Sequence, residues 1–129
     1  MAKSIDIKDE ILQMKFLEGR NRFSDTTGVF ARLGEYRGDS MISAGGFSGT
    51  SQWERHPNGD EIVQIIKGST KVTLLTAAGP EEHNLNAGMF IIIPQNTWHQ
   101  FNAPDGVTLM TTTPQPTEHI EEEFPPEEK

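Results

Sequence analysis

The sequence predicts an all-β fold, a barrel or sandwich of short strands. Three observations carry that expectation. Residues 39–114 alternate short apolar segments with turn-forming clusters at close spacing. Two of those segments, Ile62-Val63-Gln64-Ile65-Ile66 and Met89-Phe90-Ile91-Ile92-Ile93, are apolar on both faces, as strands enclosed on two sides are. The chain has 129 residues and no cysteine, so it is long enough to bury one core and has no disulfide to staple it.

Residues 1–38 read as an N-terminal arm packing on the barrel. Within it, Asp6 to Phe16 sets Ile7, Ile11, Leu12 and Met14 at weakly helical spacing, and Gly19 and Asn21 end the pattern. A strand over Met14–Leu17 fits nearly as well. Strands are then expected at Met41–Phe47, Ser51–His56, Glu61–Lys67, Thr70–Thr76, Glu82–Leu85, Met89–Ile93, His99–Asn102 and Val107–Thr113. The expected breaks are turn-forming residues: Gly45-Gly46, Pro57-Asn58-Gly59, Gly68, Ala78-Gly79-Pro80, Ala87-Gly88, Pro94-Gln95-Asn96 and Pro104-Asp105-Gly106. The two doubly apolar strands need an outer cover. A second sheet, the arm or a partner subunit can supply it, and a homodimer is the expectation. Residues 115–129 hold three prolines and six glutamates, which predicts an extended or disordered acidic tail. An alternative is an arm over a partner subunit, anchored by Ile120 and Phe124.

Charge narrows the function. The formal net charge is −8, from 19 acidic and 11 basic residues. A nucleic-acid binder needs a basic face, and an anionic membrane surface needs one too, so neither partner is expected. The start, Met1-Ala2-Lys3-Ser4-Ile5-Asp6, lacks the apolar core of a signal peptide. The longest apolar run, Met89–Ile93, is far short of the ~20 residues of a membrane span. A soluble cytoplasmic protein is the expectation.

The chemistry concentrates in two blocks, Trp53-Glu54-Arg55-His56-Pro57-Asn58-Gly59-Asp60-Glu61 and Pro94-Gln95-Asn96-Thr97-Trp98-His99. Glu54 and His56, two residues apart on a strand, share a face at roughly 6–7 Å. Glu61 opens the next strand after the turn, with Val63 and Ile65 on its face. His99 can enter from the far side. Without cysteine any metal must take nitrogen and oxygen donors, and two imidazoles with one or two carboxylates suit Fe(II), Mn(II), Ni(II) or Zn(II).

These blocks resemble the two sequence motifs of the cupin superfamily, across about residues 48–102. His56 stands where the second histidine of the His-x-His pair stands, with Glu61 and Gly68 at the family's spacing. Gly88, Pro94 and His99 match the second motif. Glu54 takes the place of the first histidine, and Asn96 that of the glycine, although Asn tolerates positive φ. The resemblance implies a small double-stranded β-helix (jelly-roll) barrel, commonly dimeric. It implies one divalent metal on His56, Glu61 and His99, with Glu54 as fourth ligand.

Three arrangements stay open for Glu54. As a ligand it neutralises a divalent ion and favours Fe(II) or Mn(II). Outside the ligand set it leaves a two-histidine, one-carboxylate triad suited to iron and oxygen chemistry. Without metal it is a catalytic base beside His56. The functional expectation is a cupin acting on a small oxygen-rich organic molecule, as a dioxygenase or a metal-assisted isomerase or lyase. The alternative is a non-catalytic or metal-free binding or sensing module.

Other residues carry less. Trp53 and Trp98 should point away from the pocket, and Arg55 should face outward to a surface ion pair. Phe47, Phe101 and Gln52 suit the pocket mouth. His83 and His119, among glutamates, read as solvated. Gly45-Gly46 lacks the Gly-Lys-Ser/Thr of a phosphate loop, and Ser48 and Ser51 lack a base partner.

Overall fold

The computed structural model describes residues 2–126. One short helix, α1 (Ile7–Leu12), precedes nine strands: β1 (Leu17–Arg20), β2 (Phe30–Tyr36), β3 (Ser40–Thr50), β4 (Trp53–Arg55), β5 (Glu61–Thr76), β6 (Gly79–Asn86), β7 (Phe90–Ile93), β8 (His99–Pro114) and β9 (Glu118–Ile120). Among the described residues the strands form one curled sheet in the order β1-β3-β8-β4-β9. From this path β2 branches off β3, while β5 pairs with β8, β6 and β7. The all-β expectation holds.

β8 is the hub. Its later half lies between β3 and β5, with Ser43 and Val63 both opposite Thr111. Its first residue, His99, lies opposite Glu54 on one side and Leu74 on the other. Alternation along β5 sends Glu61, Val63 and Ile65 inward, and Ile62, Gln64 and Ile66 outward. The inward residues join Phe47, Val72, Leu74, Leu85, Ile93, Phe101, Val107 and Leu109 in the main core.

The helix begins where the sequence placed it and stops earlier. Asp6 caps it, its side chain accepting from the Asp9 N–H at 3.1 Å, and Asp9 and Glu10 complement the dipole of the first turn. It ends at Leu12 rather than running on to Phe16. Phe16 is drawn over Gly46 and Gly106, where a Cβ on Gly46 would collide with its ring and one on Gly106 would crowd it, and the chain enters β1 beside β3. The arm does pack on the barrel. Ile5, Ile7, Ile11 and Met14 cover Ala31, Leu33 and Ala44 in a second, smaller core.

Three expected breaks are not turns: Gly45-Gly46 lies inside β3, and Gly68 and Pro104-Asp105-Gly106 each fall within one long strand. Glu61–Lys67 and Thr70–Thr76 are one strand, β5, and His99–Asn102 and Val107–Thr113 are one strand, β8. Gly68 lies opposite Val107, and a Cβ on Gly68 would overlap the Gly106 backbone. Both strands bulge at the same level, so the ladder bends instead of breaking. β1 and β2 emerge within the region read as an arm, and β9 within the tail. The described part of the tail is tied to its own chain. β9 pairs with β4, Trp53 Nε1 donates to the Glu123 carbonyl at 3.0 Å, and Phe124 packs edge-on against Trp53. Residues 127–129 lie outside the described residues. No helix among the described residues is long and apolar enough to cross a membrane.

Candidate metal centre

The two motif loops are laced together, and this lacing assembles the site. The Asn96 N–H donates to the His56 carbonyl at 2.9 Å. The Gln95 N–H donates to Asp60 Oδ1 at 2.7 Å, and Gln95 Nε2 donates to the Pro57 carbonyl at 2.7 Å. Asn96 holds φ at 60°, the left-handed conformation that its place in the motif demands. With the loops joined, His56 at the end of β4, Glu61 at the start of β5 and His99 at the start of β8 face one another.

All four residues singled out in the sequence converge. Glu54, His56, Glu61 and His99 each present a donor atom, and these atoms lie within 4.8 Å of one another. His99 Nε2 is 3.2 Å from Glu61 Oε1 and 3.5 Å from Glu54 Oε1, while His56 Nε2 is 3.2 Å from Glu61 Oε2. The histidine rings are 5.1 Å apart between centroids. His56, Glu61 and His99 are buried, and Glu54 is half-exposed at the mouth.

The outer partners set the donors. His99 Nδ1 donates to the Thr97 carbonyl at 2.9 Å, which fixes the tautomer of the neutral ring and turns the Nε2 lone pair inward. His56 Nδ1 is 3.1 Å from Thr117 Oγ1. Thr113 Oγ1 donates to Glu61 Oε2 at 2.5 Å. Three inward atoms, His56 Nε2, His99 Nε2 and Glu61 Oε1, are buried without an aligned hydrogen-bond partner. Orphaned polar atoms are costly in a native interior, and a cation between them satisfies all three. The donor set therefore fits a divalent metal.

The metal-free cluster is strongly polarised. Burial pushes Glu61 up, but the flanking His56 and His99 overcome it and hold the carboxyl down at about 2. Burial pushes His99 down, and Glu54 and Glu61 overcome that, raising it to about 10. A metal ion bound here would take the place of the His99 proton.

The cluster opens into a cavity of about 420 Å³, lined by Phe30, Phe47 and Phe101 among apolar groups and by Thr111, Thr113 and Thr117 among hydroxyls. Phe47 and Phe101 line it as expected, but Gln52 turns away, donating to the Arg22 carbonyl at 2.9 Å. Trp53 packs beneath Phe124, and Arg55 stacks 4.5 Å over Trp98 while pairing with Glu118 at 2.9 Å, so all three face away from the pocket. His83 pairs with Glu81 at 2.6 Å on the surface, and His119 is exposed. Sequence reasoning missed Thr113, Thr117 and Arg20, which enter from β8, the tail and β1. No local spacing announces them.

Comparison with known proteins agrees with this architecture. The sequence profile described as "Cupin domain" matches residues 41–113. A cupin-2 domain containing protein from Shewanella frigidimarina superposes with a TM-score of 0.65 at 18% identity, covering 86% of this chain and 94% of that one. A subunit of Bacillus subtilis oxalate decarboxylase, studied for its Mn(II) centres, superposes with a TM-score of 0.57 at 13% identity, covering 64% of this chain and 24% of that one. An uncharacterized protein of Acanthamoeba polyphaga mimivirus is 41% identical over 49 residues, 38% of this chain and 30% of its own length. The chain thus spans less than a third of that relative.

Proposed function

Because this chain belongs to the cupin domain family, we propose that it holds one divalent metal ion and binds a small oxygen-rich organic molecule in the adjoining cavity. His56, Glu61 and His99 hold the ion, and Glu54 is its fourth ligand. The observation that carries this reading is the convergence beside Glu54 of three buried donor atoms, none of them in an aligned hydrogen bond. Two imidazoles and two carboxylates make a hard, charge-neutral set, which favours Fe(II) or Mn(II). The Mn(II) centres of the oxalate decarboxylase share only the fold with this chain, and they support a manganese assignment to that extent.

When bound, such an ion polarises a carbonyl or enolate oxygen of the ligand. The residues of the chain do the rest. Thr97 and Thr117 orient the imidazoles, and Thr113 steadies Glu61. Phe30, Phe47 and Phe101 exclude water from the inner cavity. Glu54 sits at the mouth, where it exchanges with solvent and can move a proton to or from a ligand oxygen. The reaction class that fits is a dioxygenase or a metal-assisted isomerase or lyase.

Elemental analysis of untagged protein, purified without chelator, tests the metal. Near-stoichiometric iron or manganese is expected, and it should be lost in His99→Ala. A wild-type protein that arrives empty and takes up no added Mn(II) overturns the reading.

A further inference from the structure

The last residue of β1 projects a cation into this cavity. Arg20 lines it together with Glu54, His56 and Glu61. Its guanidinium carbon lies 4.6 Å from the ring centre of Phe47 and 5.6 Å from that of Phe30. The two rings meet edge to face at 6.3 Å and form a shelf under it. Backbone contacts hold the shelf and β1 together. The Gly19 N–H donates to Ser48 Oγ at 2.9 Å, and Gly49, with φ at +96°, lets the Arg20 backbone come closer than any Cβ would permit.

Among the described residues Arg20 makes no side-chain hydrogen bond and no ion pair. Arg37 and Arg55, by contrast, are each paired with a carboxylate. A bland reading is available: the arginine stem merely covers Phe47. That reading does not account for where the guanidinium points, into the cavity, where the charge of Glu54 acts on it and its N–H donors are free for a ligand. Charge points the same way. Glu54 and Glu61 would neutralise a divalent ion, so Arg20 and Arg32, which both line the cavity, would leave the loaded pocket net positive.

We propose that Arg20 is the anchor for the carboxylate of a small organic acid, whose far end carries a hydroxyl or oxo oxygen toward the four-residue cluster. The guanidinium grips the carboxylate with two parallel N–H bonds, which a planar group of matching width accepts. Phe30 and Phe47 flank the carbon skeleton. The proposal deepens the reading of the cavity as a small-molecule site and rests on it.

Calorimetric titration with malonate, malonamide and inorganic phosphate tests the anchor, on Mn(II)-loaded protein and on metal-free protein. Malonate should bind the wild type, and the uncharged malonamide should bind far more weakly. Arg20→Met and Arg20→Gln should weaken malonate by about 10- to 100-fold, the scale of lost charged hydrogen bonds. Arg20→Lys, which keeps the charge and loses the fork, should fall between. Manganese uptake should be unchanged in all three variants, which shows an intact barrel. Equal affinity for malonate and malonamide, equal malonate affinity in wild type and Arg20→Gln, or no malonate binding to the wild type overturns the proposal. Tighter binding of phosphate than of malonate overturns the carboxylate assignment. Should the wild type take up no manganese, the metal reading fails by itself, and the Arg20 dependence on metal-free protein still decides the anchor.

Discussion

The cluster makes the metal-free protein sensitive to pH in two opposite directions. Glu61 is depressed from 4.5 to about 2, so its contribution to stability is complete above about 4.5 and fades as pH falls toward 2. His99 is raised from 6.5 to about 10, so its contribution is complete below about 6.5 and fades as pH rises toward 10. The thermal midpoint of metal-free protein should therefore peak between about pH 4.5 and 6.5. His99→Gln should flatten the alkaline decline, and a midpoint that keeps climbing to pH 9 contradicts this account. The four donors were legible in the sequence because they stand in the two cupin-like motifs, whereas strand parity by itself paired only Glu54 with His56. Their supports were not. Thr113 meets Glu61, and Thr117 meets His56, only because β8 and the tail run past β5 and β4 in one register. Arg20 was hidden for the same reason, since a parallel pairing of β1 with β3 leaves no mark on residues 17–20.

At the scale of elements, glycine gives the sequence its ambiguity. Gly68 and Gly106 both read as turns, yet each marks a bend shared by two long strands. The φ of +77° at Gly68 and the nearby Gly106 backbone leave no room for a side chain. Gly68→Ala should thus lower stability by roughly 1–3 kcal/mol, the range of a strained backbone position, as read from denaturant midpoints. Gly34→Ala is the control, because that glycine lies in β2 with open space around it and no left-handed φ. Similar losses in both variants would remove the steric argument. Propensity located the central strands well, and it failed for β2 and β9. β2 contains Arg32, Gly34 and Glu35, and β9 contains Glu118 and His119. Neither set announces a strand, so long-range pairing with β3 and β4 supplies their order.

For the molecule as a whole, one apolar face is left uncovered. Ile62 is 37% exposed, Phe90 61% and Ile92 54%, all on the outer side of β5 and β7. The arm, expected as a possible cover, lies instead over β2 and β3. We propose that a second copy of the chain covers this face, as the doubly apolar pattern of the two strands suggested. Light scattering behind size exclusion should give twice the 14.4 kDa chain mass, and Ile92→Glu should reduce it to one chain. A wild-type monomer at micromolar concentration contradicts the dimer.

The hub position of β8 also has a bearing on time. Its partners are remote in sequence: Ser40 meets Pro114, Glu54 meets His99, and Ile62 meets Thr112. Each pairing closes a long loop, an entropic cost that comes before any contact rewards it. Chains dominated by such pairings fold in milliseconds to seconds rather than microseconds. His99 belongs to that strand, so the centre does not exist until these long-range pairings have formed. A metal ion that fits the finished centre deepens the native basin by mass action and offers an unpaired β8 far less.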